Sequence, residues 1–578
     1  MTDAALPLRR LPAFSLARWA MVLPIYLWVA LLVAVPNLFM IVYSFWQAKS
    51  GAILHNWNLA NYAKVAISPT YQFLIGKTIG VALLAALIAA LIAYPMAFFV
   101  TRYIRRNKLT AVLLVVIPLW VSLLVRVFAW RIILGESGLL NSFLVNTGIL
   151  SEPSTALLYT PFTVFLTLTY VCIPFVFVTS YTALERIPRS LIEASADSGA
   201  SGWRSFWTVI WPLSRQGAAL GFMLAFLVAV GDYITPSMVG GLDGTMLGMV
   251  IAAQFGLVGN WPLGAAMSIT LMVVVTVVLI VIASLSRSRG VLESGETGMT
   301  VEAGHRKHLS PAGRLGHAMA WVAFVIPYVI LYAPLLIIAL FSFNDSTIQT
   351  LPLAGFTTKW YAALWGDQAL WTALQRTWVV AFSAVTIGAV VGTGFALAFH
   401  YLTIPGSALL QSILALPVAL PGVVLGVSLA IGFRAFGIPP GIVRVVLGHA
   451  SFVMPVVMLV VLARLQRLDP SYAHASMDLG ANRRRTFIHV IFPLLRSALI
   501  GGALLGFTLS VDEVIVTLFL TGVTPTLPIH IWNQMRFGFT PSVNAIFTCI
   551  GAASLILILS AARILRGDIT GGLAGGKR

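Results

Sequence analysis

Ser190-Leu191-Ile192-Glu193-Ala194-Ser195-Ala196-Asp197-Ser198-Gly199-Ala200, followed by Ile210-Trp211-Pro212-Leu213, reads as a short polar helix that stops at a glycine and re-enters an apolar run at a proline. The pattern returns as Ser471-Tyr472-Ala473-His474-Ala475-Ser476-Met477-Asp478-Leu479-Gly480-Ala481 and Ile491-Phe492-Pro493-Leu494. Gly199 and Gly480 stand 281 positions apart (480 − 199), as do Pro212 and Pro493 (493 − 212). Matched spacing of this kind marks a repeated unit. Ser190 with Glu193 predicts a capping box, the hydroxyl taking a backbone N–H and the carboxylate reaching back to the cap. Gly199 and Gly480 sit where a left-handed residue closes a helix. Small residues (Ala194, Ser195; Ala475, Ser476) leave the helix flat enough for close approach by a partner. Pro212 and Pro493 fall near a helix start, where a missing N–H is tolerated. His474 stands where the first copy has Glu193, so the second copy lacks the carboxylate half of the box. The plainer reading is a pair of amphipathic connectors between membrane helices.

Around these two polar islands the chain is apolar. Of 578 residues, 59% are hydrophobic and 9% charged, and the mean hydropathy is +0.94, which excludes an ordinary soluble protein and points to a polytopic membrane protein. A spanning helix needs about 20 apolar residues. The runs predict an all-α protein with spans at 19–45, 74–101, 109–134, 157–181, 206–231 and 262–285, then 317–343, 373–401, 407–434, 441–464, 491–520 and 542–565. A half-buried segment is expected between 232 and 261. The organisation is therefore a first unit at 1–285, a flexible linker at 286–316 rich in Gly, Ser and charge, and a second unit at 317–578. With six spans each, both units enter the membrane in the same sense and relate by a pseudo-twofold axis along its normal.

The net charge of +18 could suggest nucleic acid, but the basic residues lie in the loops of a single membrane side. Arg9 and Arg10 precede the first span, and Arg102, Arg105, Arg106 and Lys108 lie between the second and third. Arg186, Arg189 and Arg204 flank the first island, and Arg483-Arg484-Arg485 the second. Both termini and both islands are thereby predicted to be cytosolic, with lipid rather than nucleic acid as the surrounding partner. Cys172 and Cys549 lie in apolar runs without metal or redox spacing and read as small core residues. The tail Gly571-Gly572-Leu573-Ala574-Gly575-Gly576-Lys577-Arg578 approaches a phosphate-binding loop but ends in Arg where Ser or Thr is required, and no helix follows. No catalytic triad or metal cluster is visible, so no catalytic site and no cofactor are expected in the chain itself.

Ionisable groups inside spans are functional candidates. Asp232 lies at the end of the fifth span, and Glu513 is its repeat equivalent (513 − 232 = 281), with Asp512 beside it. Two acids facing across the axis would suit a cation. Tyr233, Trp261 and Trp532 could offer ring faces to an ammonium. The alternatives are that the acids cap helix ends or pair with Arg126, Arg131 or Arg536, and that the tryptophans are interfacial anchors.

Both islands resemble the E-A-A-x-x-x-G loop of ABC importer permeases. Arg126-Val127-Phe128-Ala129-Trp130-Arg131, Gly231-Asp232-Tyr233-Ile234-Thr235-Pro236 and Trp261-Pro262-Leu263-Gly264-Ala265-Ala266 resemble the first permease of spermidine/putrescine importers. Gly355-Phe356-Thr357-Thr358-Lys359-Trp360-Tyr361, Phe507-Thr508-Leu509-Ser510-Val511-Asp512-Glu513 and Pro541-Ser542-Val543-Asn544-Ala545 resemble the second. The resemblance implies two type I importer transmembrane domains fused in one chain in the cell inner membrane. It implies islands that act as coupling helices for two ABC ATPase subunits, which hold the ATP and Mg, and cargo delivered by an extracytoplasmic binding protein. The cargo it implies is a polyamine, with opines and aminophosphonates among the substrates of relatives. A competing class is a secondary transporter driven by an ion gradient.

Overall fold

The computed structural model describes residues 16–49, 52–104, 107–286, 311–347, 349–350, 353–537, 541–553 and 555–556. Linker residues 287–310, the first fifteen residues and the tail from 557 lie outside these, and with them the flexible linker and the basic tail expected there. With no water to satisfy backbone groups in a bilayer, apolar runs this long must close their hydrogen bonds internally as helices. They do so in the order α1 (Leu16–Val29), continuing through a π-turn into α2 (Val35–Ser44), a two-strand hairpin (β1, Gln47–Lys49; β2, Ala52–Leu54), α3 (Ala60–Ile67), α4 (Pro69–Tyr103), α5 (Lys108–Val116), α6 (Leu123–Leu134) and α7 (Leu139–Asn146). There follow α8 (Pro161–Glu185), α9 (Arg189–Asp197), α10 (Gly202–Ser205), α11 (Trp211–Gly231), α12 (Ile234–Val239), α13 (Leu247–Phe255) and α14 (Trp261–Ser286). The second half repeats the series: α15 (Pro311–Phe341), α16 (Lys359–Gly366), α17 (Gln368–Tyr401), α18 (Ser407–Ala419), α19 (Gly422–Ala435), α20 (Ile442–Gln466) and α21 (Ser471–Asp478). It closes with α22 (Arg483–Thr486), α23 (Phe492–Asp512), α24 (Ile515–Leu520), α25 (Leu527–Phe537) and α26 (Ser542–Ala553).

With helices that continue through a π-turn counted as one, nine among the described residues are long and apolar enough to cross a membrane alone, and two bent pairs bring the number to 11. The expected continuous spans at 109–134 and 407–434 are these bent pairs. The first turns by 85° between residues 119 and 123, and the second by 107° at Leu420-Pro421. Pro421 cannot donate to the preceding turn, and Leu420 before it is extended (ψ 143°), which ends α18 there. The expected span at 491–520 also breaks, at Glu513, whose backbone is extended (φ −71°, ψ 116°) just as at its equivalent Asp232 (φ −78°, ψ 118°). Asp512 and Glu513 therefore do not share a helix. α15 begins at Pro311, inside the stretch read as linker. The half-buried segment expected at 232–261 is the short pair α12 and α13, matched by α24 and α25. Cys172 is a buried core residue donating to the Ala225 carbonyl at 3.3 Å, but Cys549 on α26 is exposed, so its core assignment is corrected.

The repeat is visible in the packing. α8 and α11 cross where Gly221 would place a Cβ 2.8 Å from Val176 Cα, and α20 and α23 cross where Gly502 would place one 3.3 Å from Val457 Cα, both pairs 281 apart. Small residues at such crossings let backbones approach where lipid offers no hydrophobic drive. Thr78 Oγ1 accepts the Leu247 N–H at 2.9 Å as Thr377 Oγ1 accepts that of Leu527 at 2.7 Å. Early equivalents are 299 apart (377 − 78) and later ones 281, or 280 at Leu247 and Leu527 (527 − 247), because most of the segment around α7 is an insertion of the first half.

The first helices are exchanged. Trp28 on α1 meets Phe395 edge-on at 6.3 Å, Phe39 on α2 meets Phe436 at 6.4 Å, and Pro36 packs on Gly432, all in the second half. Conversely, Tyr328 and Tyr332 on α15 donate to the carbonyls of Ala111 and Leu114, each at 2.8 Å, and Phe324 stacks on Phe99 at 4.7 Å. Each half completes its core with the other's first helix.

Candidate functional site

The two islands form matching loops, mostly exposed, at corresponding helix ends. α9 ends in a Schellman motif: the Ala200 N–H reaches the Ser195 carbonyl at 3.1 Å and the Gly199 N–H that of Ala196 at 2.9 Å. α21 repeats it with Ala481 to Ser476 (3.1 Å) and Gly480 to Met477 (2.9 Å). Gly199 and Gly480 are left-handed, at φ 81° and 83°, as the sequence predicts. Ser195 Oγ hydrogen-bonds Ser205 Oγ at 2.9 Å, and Ser476 Oγ bonds Thr486 Oγ1 at 3.1 Å, tying each island to the helix that follows. Glu193, Ala194, Gly199, Ala475 and Gly480 are exposed, and His474 is half-buried.

The predicted capping box is absent. α9 starts at Arg189 with Pro188 at its cap and no side-chain acceptor there, because Pro188 sets an extended turn one residue early and leaves Ser190 inside the helix. The side-chain caps sit one helix on. Ser201 Oγ accepts the Arg204 N–H (3.3 Å) and Asn482 Oδ1 the Arg485 N–H (2.9 Å), again 281 apart. In the second island Asp469 Oδ1 accepts the Ser471 N–H at 2.9 Å, supplying the carboxylate that His474 does not. That N–H and the Ser471 hydroxyl hold the Asp469 carboxyl below its usual range. Pro212 and Pro493 lie at the starts of α11 and α23, directly after π-turns at Phe206–Ile210 and Phe487–Ile491. The wider turn absorbs the missing N–H, so each helix runs on through its proline: Gly202–Gly231 and Arg483–Asp512 are 30 residues each.

At the opposite end of α8 and α14 from the islands, a cavity of about 650 Å³ lies between the halves. Arg131, Tyr159, Tyr233, Met249 and Trp261 line it from the first half, and Leu518, Phe519, Trp532 and Asn533 from the second. The three predicted aromatics are thus brought together. Tyr233 meets Trp532 edge-on at 5.9 Å across the axis, and Trp532 is only 5% exposed, which rules out an interfacial anchor. The three acids do not line the cavity. Asp232 Oδ1 accepts the N–H groups of Ile234 (2.8 Å) and Thr235 (3.1 Å), and its other oxygen takes the Thr235 hydroxyl. Glu513 Oε1 accepts the Val516 N–H at 2.8 Å. These equivalent acids cap α12 and α24, and they do not face one another across the axis. Asp512 Oδ2 crosses to the first half and accepts the Leu123 N–H at 2.9 Å.

The sequence reading missed Tyr159 and Arg434. Tyr159 directly follows the insertion, holds a left-handed backbone (φ 61°), and has Arg131 over its ring at 5.9 Å. Arg434 stacks on Trp261 at 4.6 Å. Neither is marked by a matched side chain: the position equivalent to Tyr159 is Pro440 (440 − 159 = 281), which Gly522 meets as Gly241 meets Tyr159.

The model of the binding-protein-dependent transport system inner membrane component family matches residues 109–290 and again 384–567. The chain belongs to that family, with two copies of its domain. The putrescine transport system permease protein PotI of Escherichia coli K12 is 34% identical over 244 residues, covering 41% of this chain and 86% of that protein. The spermidine/putrescine permease PotC of the same strain is 32% identical (42% and 92% covered), and PotB of Salmonella typhimurium SL1344 is 31% identical (44% and 88%). A crystal structure of a bacterial ABC transporter importing alginate aligns over 45% of this chain and 99% of its own at 16% identity and TM-score 0.37. This permease is a multi-pass membrane transport component built from two importer domains.

Proposed function

We propose that the chain is the fused permease of a type I ABC importer for a small cationic solute of the putrescine or spermidine kind. An extracytoplasmic binding protein delivers the cargo, and two ATPase subunits, holding ATP and Mg, clasp the two islands from the cytosol. The supporting observation is the repetition in the islands: the same left-handed glycine, the same Schellman bonds and the same hydroxyl tie recur 281 residues apart on exposed loops. Each island stands at the foot of an unbroken 30-residue helix, about 45 Å long at 1.5 Å per residue, that ends beside the cavity. Drawing the islands together would swing both helices and reshape the space between the halves. On this topology both termini and both islands are cytosolic. The permease reconstituted with its ATPase subunits should hydrolyse ATP faster when its binding protein carries putrescine or spermidine. Hydrolysis indifferent to the loaded binding protein would contradict the reading.

Arg131 favours a second cargo, a solute carrying a carboxylate or phosphonate beside its amine. It is the charged residue lining the cavity among the described residues, and Arg434 occupies the face of Trp261. The two cargoes separate on Arg131→Ala: uptake of a zwitterion should lose about tenfold or more in apparent affinity, whereas putrescine uptake should hold or improve.

A further inference from the structure

Each half ends its fifth membrane helix on the bend of the other half's third. Gly231, last in α11, lies on the α18/α19 bend so closely that a Cβ there would sit 3.0 Å from Gly422 N and 3.1 Å from Pro421 Cα. Asp512, last in α23, is its repeat equivalent (512 − 231 = 281) and lies on the α5/α6 bend, accepting the Leu123 N–H at 2.9 Å. One seam is bare backbone against backbone. The other is a carboxylate on the N-terminus of a 12-residue helix, where free N–H groups and the helix dipole favour negative charge. Arg126, one turn into α6 and 5% exposed, lies within electrostatic reach of Asp512 and Asp232. Residues that follow each seam closely in sequence line the cavity: Tyr233 and Ser237 after Gly231, Leu518 and Phe519 after Asp512.

We propose that these two seams are the gate that shuts the pathway beneath the cavity, and that Asp512 is the positioning residue that latches it. The proposal rests on the permease reading, because α11 and α23 join each seam to an island. When the islands move together, the two helix ends withdraw from the opposite bends. Gly231 slides off Pro421-Gly422 without breaking a bond, and Asp512 surrenders the Leu123 N–H. The latch is one-sided, so its loss shifts the resting balance toward the open gate without removing either helix.

The test uses the full chain in membranes with Cys172→Ser, Cys549→Ser and a reporter Val121→Cys at the α5/α6 bend, where Val121 is 6% exposed. Labelling by a small thiol reagent should be slow with Asp512 present and rise roughly tenfold in Asp512→Ala. It should stay near the starting rate in Asp512→Asn, which keeps a carbonyl acceptor. Gly231→Ala, which wedges the other seam, should raise it independently. In the assembled complex, Asp512→Ala should also raise ATP hydrolysis in the absence of cargo and binding protein. Fast labelling with Asp512 in place, or unchanged labelling in both Asp512→Ala and Gly231→Ala, would overturn the gate, and unchanged labelling in Asp512→Ala alone would overturn the latch. A complex that hydrolyses no ATP while the labelling pattern holds would sink the permease reading and leave the gate standing.

Discussion

A carboxylate inside an apolar bundle needs donors, and Asp232, Glu513 and Asp512 each find theirs at a helix start. Removing the two-bond cap in Asp232→Ala should cost about 1 kcal/mol, read as a lower melting temperature of the solubilised chain. Asp232→Asn and Glu513→Gln keep an acceptor oxygen and should melt near the parent. Any loss of putrescine-stimulated hydrolysis in these two then reports their charge, and an unchanged response would confine both acids to capping. Asp469 makes a second residue-scale case. Its carboxyl is held low in the folded helix, so its contribution is complete above the ordinary carboxylate pKa, about 3.9, and is lost as pH falls through the lowered value. Asp469→Ala at neutral pH should therefore speed hydrogen exchange in the first turn of α21. The acids were legible in sequence as a repeat-equivalent pair. Their orientation was not, because a residue at a helix end can turn its carboxylate to the pathway or back to the backbone, and the choice depends on where the helix breaks.

At the scale of elements, the island loops were legible because their glycines obey a backbone rule independent of tertiary context. A side chain at φ 81° or 83° is strained by about 1–2 kcal/mol. Gly199→Val and Gly480→Val together should abolish uptake while the protein remains in the membrane at parental levels, and normal uptake by the double variant would contradict the coupling role. The capping box failed because Pro188 starts α9 early, and Ser201 and Asn482 took the cap on the next helix instead. The bends at 119–123 and at Leu420-Pro421 were hidden because apolar composition marks a span without marking its direction. Pro421 was the available signal for one of them.

For the whole molecule, two cores that borrow each other's first helix explain why one chain suits this architecture. Neither half alone buries Phe39 on Phe436 or Phe324 on Phe99. Residues 1–300 expressed alone should be degraded, and co-expression with 301–578 should restore both pieces, as read from their levels in membranes. The twelve apolar runs made the helix content legible, but not the exchange, since an all-round apolar helix carries no record of which neighbour it meets. The central claim is that ATP-driven motion enters through both islands of this one chain. It is tested most directly by Ala194→Cys and Ala475→Cys, each alone in a chain with Cys172→Ser and Cys549→Ser, cross-linked in native membranes with a short bifunctional thiol reagent. The account predicts that both positions capture an ATPase subunit. Either one joining no ATPase, or reacting with an impermeant reagent from outside the cell, would contradict it.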